Sequence, residues 1–368
     1  MSHEKKGMDR REFLGVGAAV AAGSAGTLLV GCKPGAPRDP SSVAPAVKSP
    51  PPSSGPGPLG TFGVTRAEAA KVMSAAMATG GDFCDLFFQN HRINYLGLED
   101  HAVNRAHSVV NRGVGVRVVR GTETGYAFTE SVDLKSMLQA AEVAAAVAAG
   151  TPGKAPAAFQ VGKPADYYPV EHPWGGVSTQ TKVKLLMKLH DMVGARDKRV
   201  SKVNISYRDE ESLVVVVDSD GRIMEDRQPM VVCYVSCVAE EKGKRESNYT
   251  GLAGRAGLEF MSEARMAQVA ADTVRRTTVL FDAVPGPVGE LPVVLGPGSS
   301  GILLHEAIGH GMEADFARKK TTIFTDMIGK SIAPEHVTIV DDGTNKNLRG
   351  SINVDDEGNA SKRAVLVD

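Results

Sequence analysis

Two imidazoles and a carboxylate fall within six residues in His305-Glu306-Ala307-Ile308-Gly309-His310. Those are the parts of a hydrolytic metal site. Imidazole nitrogen is a common ligand for Zn²⁺, and a carboxylate beside the ion can take a proton from bound water whose pKa the ion has lowered to roughly 7. In the common His-Glu-x-x-His arrangement the rings lie about 40° from each other around a helix, whereas five positions apart they lie about 140° apart. A regular helix would aim them at different places. Both rings reach one ion only if the helix is distorted between them, and Gly309 and Gly311 stand where a kink or π-bulge is tolerated. The competing expectation is an ordinary helix with one ring buried and the other solvated.

The flanking residues say what must hold this turn in place. Gly296-Pro297-Gly298-Ser299-Ser300-Gly301 reads as a turn from a strand-like run at 291–295 into a helix. Ser299 or Ser300 can serve as N-cap, and Ile302, Leu303, Leu304 and Ile308 supply an apolar side. Two histidines alone hold zinc weakly, because stable sites normally have three protein ligands or more. Glu313, Asp315 and His336 could complete the set, and their spacing singles out none of them.

The run Leu304-His305-Glu306-Ala307-Ile308-Gly309-His310-Gly311-Met312-Glu313-Ala314-Asp315 resembles the metal-binding segment of the TldD/PmbA family of metallopeptidases. Val337-Thr338-Ile339-Val340-Asp341-Asp342-Gly343-Thr344 and Asp355-Asp356-Glu357-Gly358 resemble that family too. Arg112-Gly113-Val114-Gly115-Val116-Arg117-Val118, with Gly125-Tyr126-Ala127, is similar to its amino-terminal domain, so the likeness runs from about Thr65 onward. The resemblance implies the metal-bearing, TldD-type subunit, with His305 and His310 as ligands of one Zn²⁺ and Glu306 as general base. It implies peptide or unfolded polypeptide substrates reaching an enclosed site, and a dimer with a PmbA/TldE-like partner or a second copy. It also implies a cysteine ligand far toward the carboxyl end, and this sequence has no cysteine after Cys237. The final run, 363–368, is apolar and strand-like with no turn or partner after it, so the chain reads as a family member that stops inside its second domain. The alternative is a membrane-tethered binding or scaffold subunit that keeps the fold without catalysis.

A separate signal occupies the amino end. Arg10-Arg11-Glu12-Phe13-Leu14 precedes a weakly apolar Ala/Gly-rich run and then Leu29-Val30-Gly31-Cys32. Paired arginines followed by Phe and Leu resemble a twin-arginine export signal. The Leu-Val-Gly-Cys end resembles a bacterial lipoprotein cleavage box, with lipidation at Cys32. A plain signal peptide or a spanning anchor is the alternative, although residues 13–30 are near the lower limit for a span of about 20 residues. Residues 33–64 are dominated by Pro, Ser, Gly and Ala, which bury too little surface to fold and favour extended conformers. They read as a tether that holds the body away from a membrane in the periplasm or cell envelope.

Lys and Arg number 42 against 43 Asp and Glu, and no basic block stands out, which excludes nucleic acid as the expected partner. Apart from Cys32, only Cys84, Cys233 and Cys237 remain, an odd count that makes no disulfide framework. Four residues along a strand span about 13 Å, so Cys233 and Cys237 cannot bridge and read as small buried residues. A capping box of Thr65 and Glu68 opens a helix running to Met77. Strand-like runs follow at 84–90, 93–99, 114–119 and 126–129, then an Ala-rich helix at 134–149. A second cycle has a helix at 181–193, strands at 200–208, 212–218, 222–227 and 230–240, and a helix at 258–277. Asp220-Gly221 supplies the positive φ of a tight hairpin turn. The pattern is α+β: an internally duplicated domain of antiparallel sheet plus helices at 65–282, a boundary near 279–290, and a partial C-terminal domain at 288–368 that carries the metal helix and that the resemblance implies is mainly β. The acidic, Gly-rich region 341–357 lacks the ligand spacing of an EF-hand and reads as solvated turns.

Overall fold

The computed structural model describes residues 57–147 and 155–368. The export signal at Arg10 and Arg11, the lipidation site Cys32 and most of the tether lie outside the described residues. Among the described residues, no helix is long and apolar enough to cross a membrane.

Helix α1 (Arg66–Ala76) begins at the capping box. The Thr65 hydroxyl accepts from the Glu68 N–H, and the Glu68 carboxylate accepts from the Thr65 N–H at 2.8 Å, so two donors of the first turn are satisfied. Strands β1 (Phe83–Glu99), β2 (Ala102–Arg120) and β3 (Glu123–Thr129) then form a meander, and α2 (Leu134–Val147) returns over it. After the short β4 (Gln160–Val161) the plan repeats: α3 (Thr179–Gly194), β5 (Val200–Asp218), β6 (Arg222–Glu241), β7 (Lys244–Gly254) and α4 (Glu263–Thr278). β1 pairs antiparallel with β5, so both units share one sheet in the order β3-β2-β1-β5-β6, with β7 and the parallel β4 both on β6. The duplication expected from the two cycles is therefore a single sheet built twice, joined along one strand pair.

β1, β5 and β6, of 17 to 20 residues, each replace a pair of shorter strands expected from the pattern, and β2 extends the run expected at 114–119 back to Ala102. The expected breaks and the residues beside them carry polar side chains that satisfy one another across β1 and β5. His91 Nε2 lies 2.8 Å from Glu210 Oε2, Asn94 donates to Asp209 at 2.8 Å, and Gln89 donates to Ser212 at 3.2 Å. Gly221 has φ +91° in the β5–β6 turn, as its Asp-Gly sequence requires.

The core divides in two on one face of this sheet. Cys84, Leu86 and Phe88 pack with Val72 and Met73 of α1 and Met137 and Ala141 of α2. Farther along the same strand, Leu96 and Leu98 join Leu186 and Leu189 of α3 and Met266 and Ala270 of α4. Burial pushes the Cys84 and Cys233 thiols up to about 12, and Cys237 is likewise buried, so these cysteines are inert packing residues.

The tether does not extend to residue 64. A 3₁₀ turn at Pro58–Phe62 places Leu59, Phe62 and Val64 in the first core, and the Phe62 ring lies 5.4 Å from that of Phe88. Three apolar side chains with a ready-made partner surface override the composition of the stretch around them. The opposite face of the sheet is held by a buried polar knot. The Tyr168 hydroxyl donates to one Asp226 oxygen and accepts from the Asn353 N–H, and the Asn353 amide donates to the other Asp226 oxygen at 2.9 Å. Arg117 links Asp85 to Glu357, and Arg222 donates to Asn359 at 2.9 Å, so residues 353–359 are fastened to that face.

Beyond α4, residues 291–295 do not form the expected strand: they have no strand partner among the described residues, and Val294 is 96% exposed. The run at the carboxyl end does have a partner. β9 (Arg363–Val367) pairs antiparallel with β8 (Ile339–Asp342), which precedes it in the chain. The acidic region forms turns: Asp342 accepts from the Thr344 N–H and hydroxyl, and Asp355 accepts from the N–H groups of Glu357 and Asn359.

Candidate metal centre

A four-residue helix, α5 (Gly301–Leu304), leads directly into a π-helical turn at His305–Gly309 and then a 3₁₀ turn at His310–Met312. The distortion demanded by the spacing is therefore present. The His310 N–H donates to the His305 carbonyl, the i to i+5 bond that defines a π-turn and puts side chains five apart on one side. The His305 and His310 rings lie 4.4 Å apart at 70°, and ligand atoms of His305, Glu306 and His310 all fall within 4.8 Å of one another. The alternative of an ordinary helix with one buried ring does not apply, since the helix is interrupted and both histidines are exposed.

The glycines act differently from the expectation. Gly309 has ordinary right-handed angles, and a side-chain carbon there would meet His305 Nδ1 at 3.6 Å, a normal contact. Gly311 is the constrained position: a Cβ would come within 2.6 Å of the Phe324 ring. Phe324, and Thr322 donating to the Gly311 carbonyl at 2.6 Å, close the following loop onto the end of the turn. Ser300 occupies the N-cap position without capping through its side chain; its hydroxyl instead reaches back to the Gly296 carbonyl.

Of the three residues that could complete the ligand set, none joins the group of His305, Glu306 and His310, and Glu313 alone touches it, through His310. Glu313 Oε1 lies 2.6 Å from His310 Nδ1, and this bond holds the imidazole pKa above the ordinary histidine value. His310 Nε2 is then the nitrogen toward Glu306, at 4.0 Å from its carboxylate. Asp315 pairs with Lys319 at 3.4 Å, and it, His336 and Glu313 all lie outside the group of converging ligand atoms. Helix α6 (Ala314–Arg318) follows Glu313 and fixes where that carboxylate starts. Two imidazoles and a carboxylate converging on one side of a turn suit a divalent ion of the zinc class.

Sequence comparison agrees with this architecture. Family models described as PmbA/TldA metallopeptidase domain 1, central domain and C-terminal domain match residues 84–148, 172–281 and 288–368. A Haemophilus influenzae protein named metalloprotease TldD homolog is 39% identical over 293 residues, covering 78% of this chain and 61% of the relative. A Methanocaldococcus jannaschii metalloprotease is 25% identical over 291 residues, covering 78% of this chain and 64% of that protein. The crystal structure of TldE from Thermococcus kodakarensis superposes with a TM-score of 0.60 at 20% identity, covering 78% of this chain and 65% of that one. The fold is that of a duplicated antiparallel sheet with helices on one face, followed by a segment bearing a histidine-rich turn. The chain belongs to the TldD/PmbA family, and it spans about three-fifths of the length of the first curated relatives it matches.

Proposed function

We propose that this chain is the metal-bearing, TldD-type subunit of a zinc-dependent peptidase acting on peptides or unfolded polypeptides. The observation that carries the reading is the π-turn, which turns an unhelpful spacing of histidines into a convergent pair with Glu306 beside it. His305 and His310 would hold the ion. When bound, zinc supplies a Lewis acid and an acidified water. Glu306 takes up the proton of the attacking water at its carboxylate and can return it to the leaving amine. Glu313 accepts from His310 Nδ1–H, which fixes the tautomer and leaves the Nε2 lone pair for the ion.

The names of the relatives and the likeness to TldE support a complex with a TldE-like subunit or a second copy of this chain. The arginine pair Arg10-Arg11 and Cys32 support export by the twin-arginine route and a lipid anchor facing the periplasm.

Peptide hydrolysis and metal content of point variants test the site. Glu306→Gln should abolish turnover and keep the metal, since the base is lost and the imidazoles stay; unchanged turnover removes Glu306 from the mechanism. His305→Ala should lose the metal that supports hydrolysis, and a variant that keeps its full metal content and turnover would place the catalytic ion elsewhere. A wild-type chain that takes up no zinc at this turn supports the scaffold reading instead. For export, replacing Arg10 and Arg11 together by Lys should trap precursor inside the cell, and normal secretion would reject that route.

A further inference from the structure

A second group of metal-ligating side chains lies where the two repeats meet. His101 is the second central residue of the β1–β2 turn, and with Asp100 it is held at positive φ, 65° and 44°. Such a two-residue turn matches the twist of the strands it joins. Asp100 Oδ1 accepts from the Val203 N–H at 3.2 Å, which pins the turn of the first repeat to β5 of the second. His190 and Asp191 approach it from the last turns of α3.

The distances are those of ligands around an ion. His101 Nδ1 and His190 Nδ1 lie 3.6 Å and 3.7 Å from the same Asp191 oxygen, and the ligand atoms of all three residues fall within 4.8 Å of one another. Both separations exceed a hydrogen bond. Tetrahedral zinc, with bonds of about 2.0–2.1 Å, puts its ligands about 3.3–3.4 Å apart.

His190 gives the independent reason to look for a ligand. It is 6% exposed, and neither ring nitrogen has a hydrogen-bond partner among the described residues. Its ring lies 3.9 Å from that of His101. A buried imidazole whose ring nitrogens are left unpaired is costly, and a metal ion would satisfy one of them. The neighbouring charges are Asp100 and, 3.9 Å from it, Lys202.

We propose that His101, His190 and Asp191 form a second divalent-metal site, which clips the β1–β2 turn of the first repeat to helix α3 of the second. Two imidazoles with one carboxylate favour Zn²⁺, Co²⁺ or Ni²⁺ over Ca²⁺ and Mg²⁺, which take oxygen ligands. His101 and Asp191 side chains are 63% and 65% exposed, so the fourth position faces solvent and is filled by water. The role that follows is a structural clamp between repeats.

The test uses the full chain carrying His305→Ala and His310→Ala, so that its outcome is independent of the π-turn. After equilibration with micromolar Zn²⁺ and removal of free ion, elemental analysis should find one equivalent retained, and zinc should raise the melting temperature. Adding His101→Asn and Asp191→Asn should reduce the retained zinc at least tenfold and remove the thermal shift, with the circular dichroism spectrum unchanged. Asn tolerates positive φ, and both positions are exposed, so folding is preserved. A folded His305→Ala/His310→Ala chain that retains no zinc overturns the proposal. So does zinc retained equally after the His101 and Asp191 substitutions.

Discussion

His310 is set by a neighbour three residues away. The Glu313 carboxylate bonded to Nδ1 raises the pKa of the ring, and the opposing effect of desolvation is smaller. The protonated ring therefore persists to higher pH than in an ordinary histidine, and protons compete with metal for Nε2 over that wider range. In metal-free protein, NMR titration should place the His310 midpoint above that of a solvent-exposed histidine. Glu313→Gln should bring it down toward the ordinary value and move the acid loss of zinc to lower pH. Identical midpoints in the two proteins would show that the carboxylate does not tune the ring. The types and spacing of His305, Glu306 and His310 were legible in the sequence because they are contiguous. Glu313 stood among three equivalent choices until its bond to His310 distinguished it, and nothing connected His101 with His190 before β1 and α3 brought them together.

Among the elements, the π-turn is the one the spacing required, and simple helix geometry was enough to anticipate it. Which glycine matters was not legible, because the constraint on Gly311 comes from Phe324, on a loop thirteen positions away whose return to the turn no local pattern announces. Gly309→Ala should bind zinc like the wild type. Gly311→Ala should force the Phe324 ring aside at a cost of about 1–3 kcal/mol, visible as a lowered urea midpoint. Equal stability of the two variants would mean that Phe324 is not packed against the turn. The long strands were hidden for a related reason. His91, Asp209 and Glu210 read as breaks in isolation and as ladder rungs once paired. β7 escaped notice because its alternation is mostly polar, as suits a strand at the sheet edge, and the apparent long helix at 258–277 is a 3₁₀ turn followed by α4, divided at the Ser262 cap.

For the whole molecule, the knot of Tyr168, Asp226 and Asn353 joins the segment after the metal turn to the duplicated sheet. Tyr168→Phe removes the hydroxyl that bonds both other members and leaves a buried carboxylate one donor short. The expected loss is about 1–3 kcal/mol, with faster proteolysis within residues 345–360. A variant as stable and as resistant as the wild type would show that the knot does not fasten this segment.

The pairing of β1 with β5 has a kinetic and thermodynamic corollary. β1 and β5 each run beneath both cores, so neither half can melt while the other keeps its ladder intact, and denaturation should be one cooperative event. Trp174, the sole tryptophan of the chain, reports on the second core, and Cys84 reports on the first. Fluorescence of the indole and alkylation of the Cys84 thiol, followed by peptide mass, should give the same urea midpoint. Two separated midpoints would reveal halves that come apart on their own, like beads rather than a single plank.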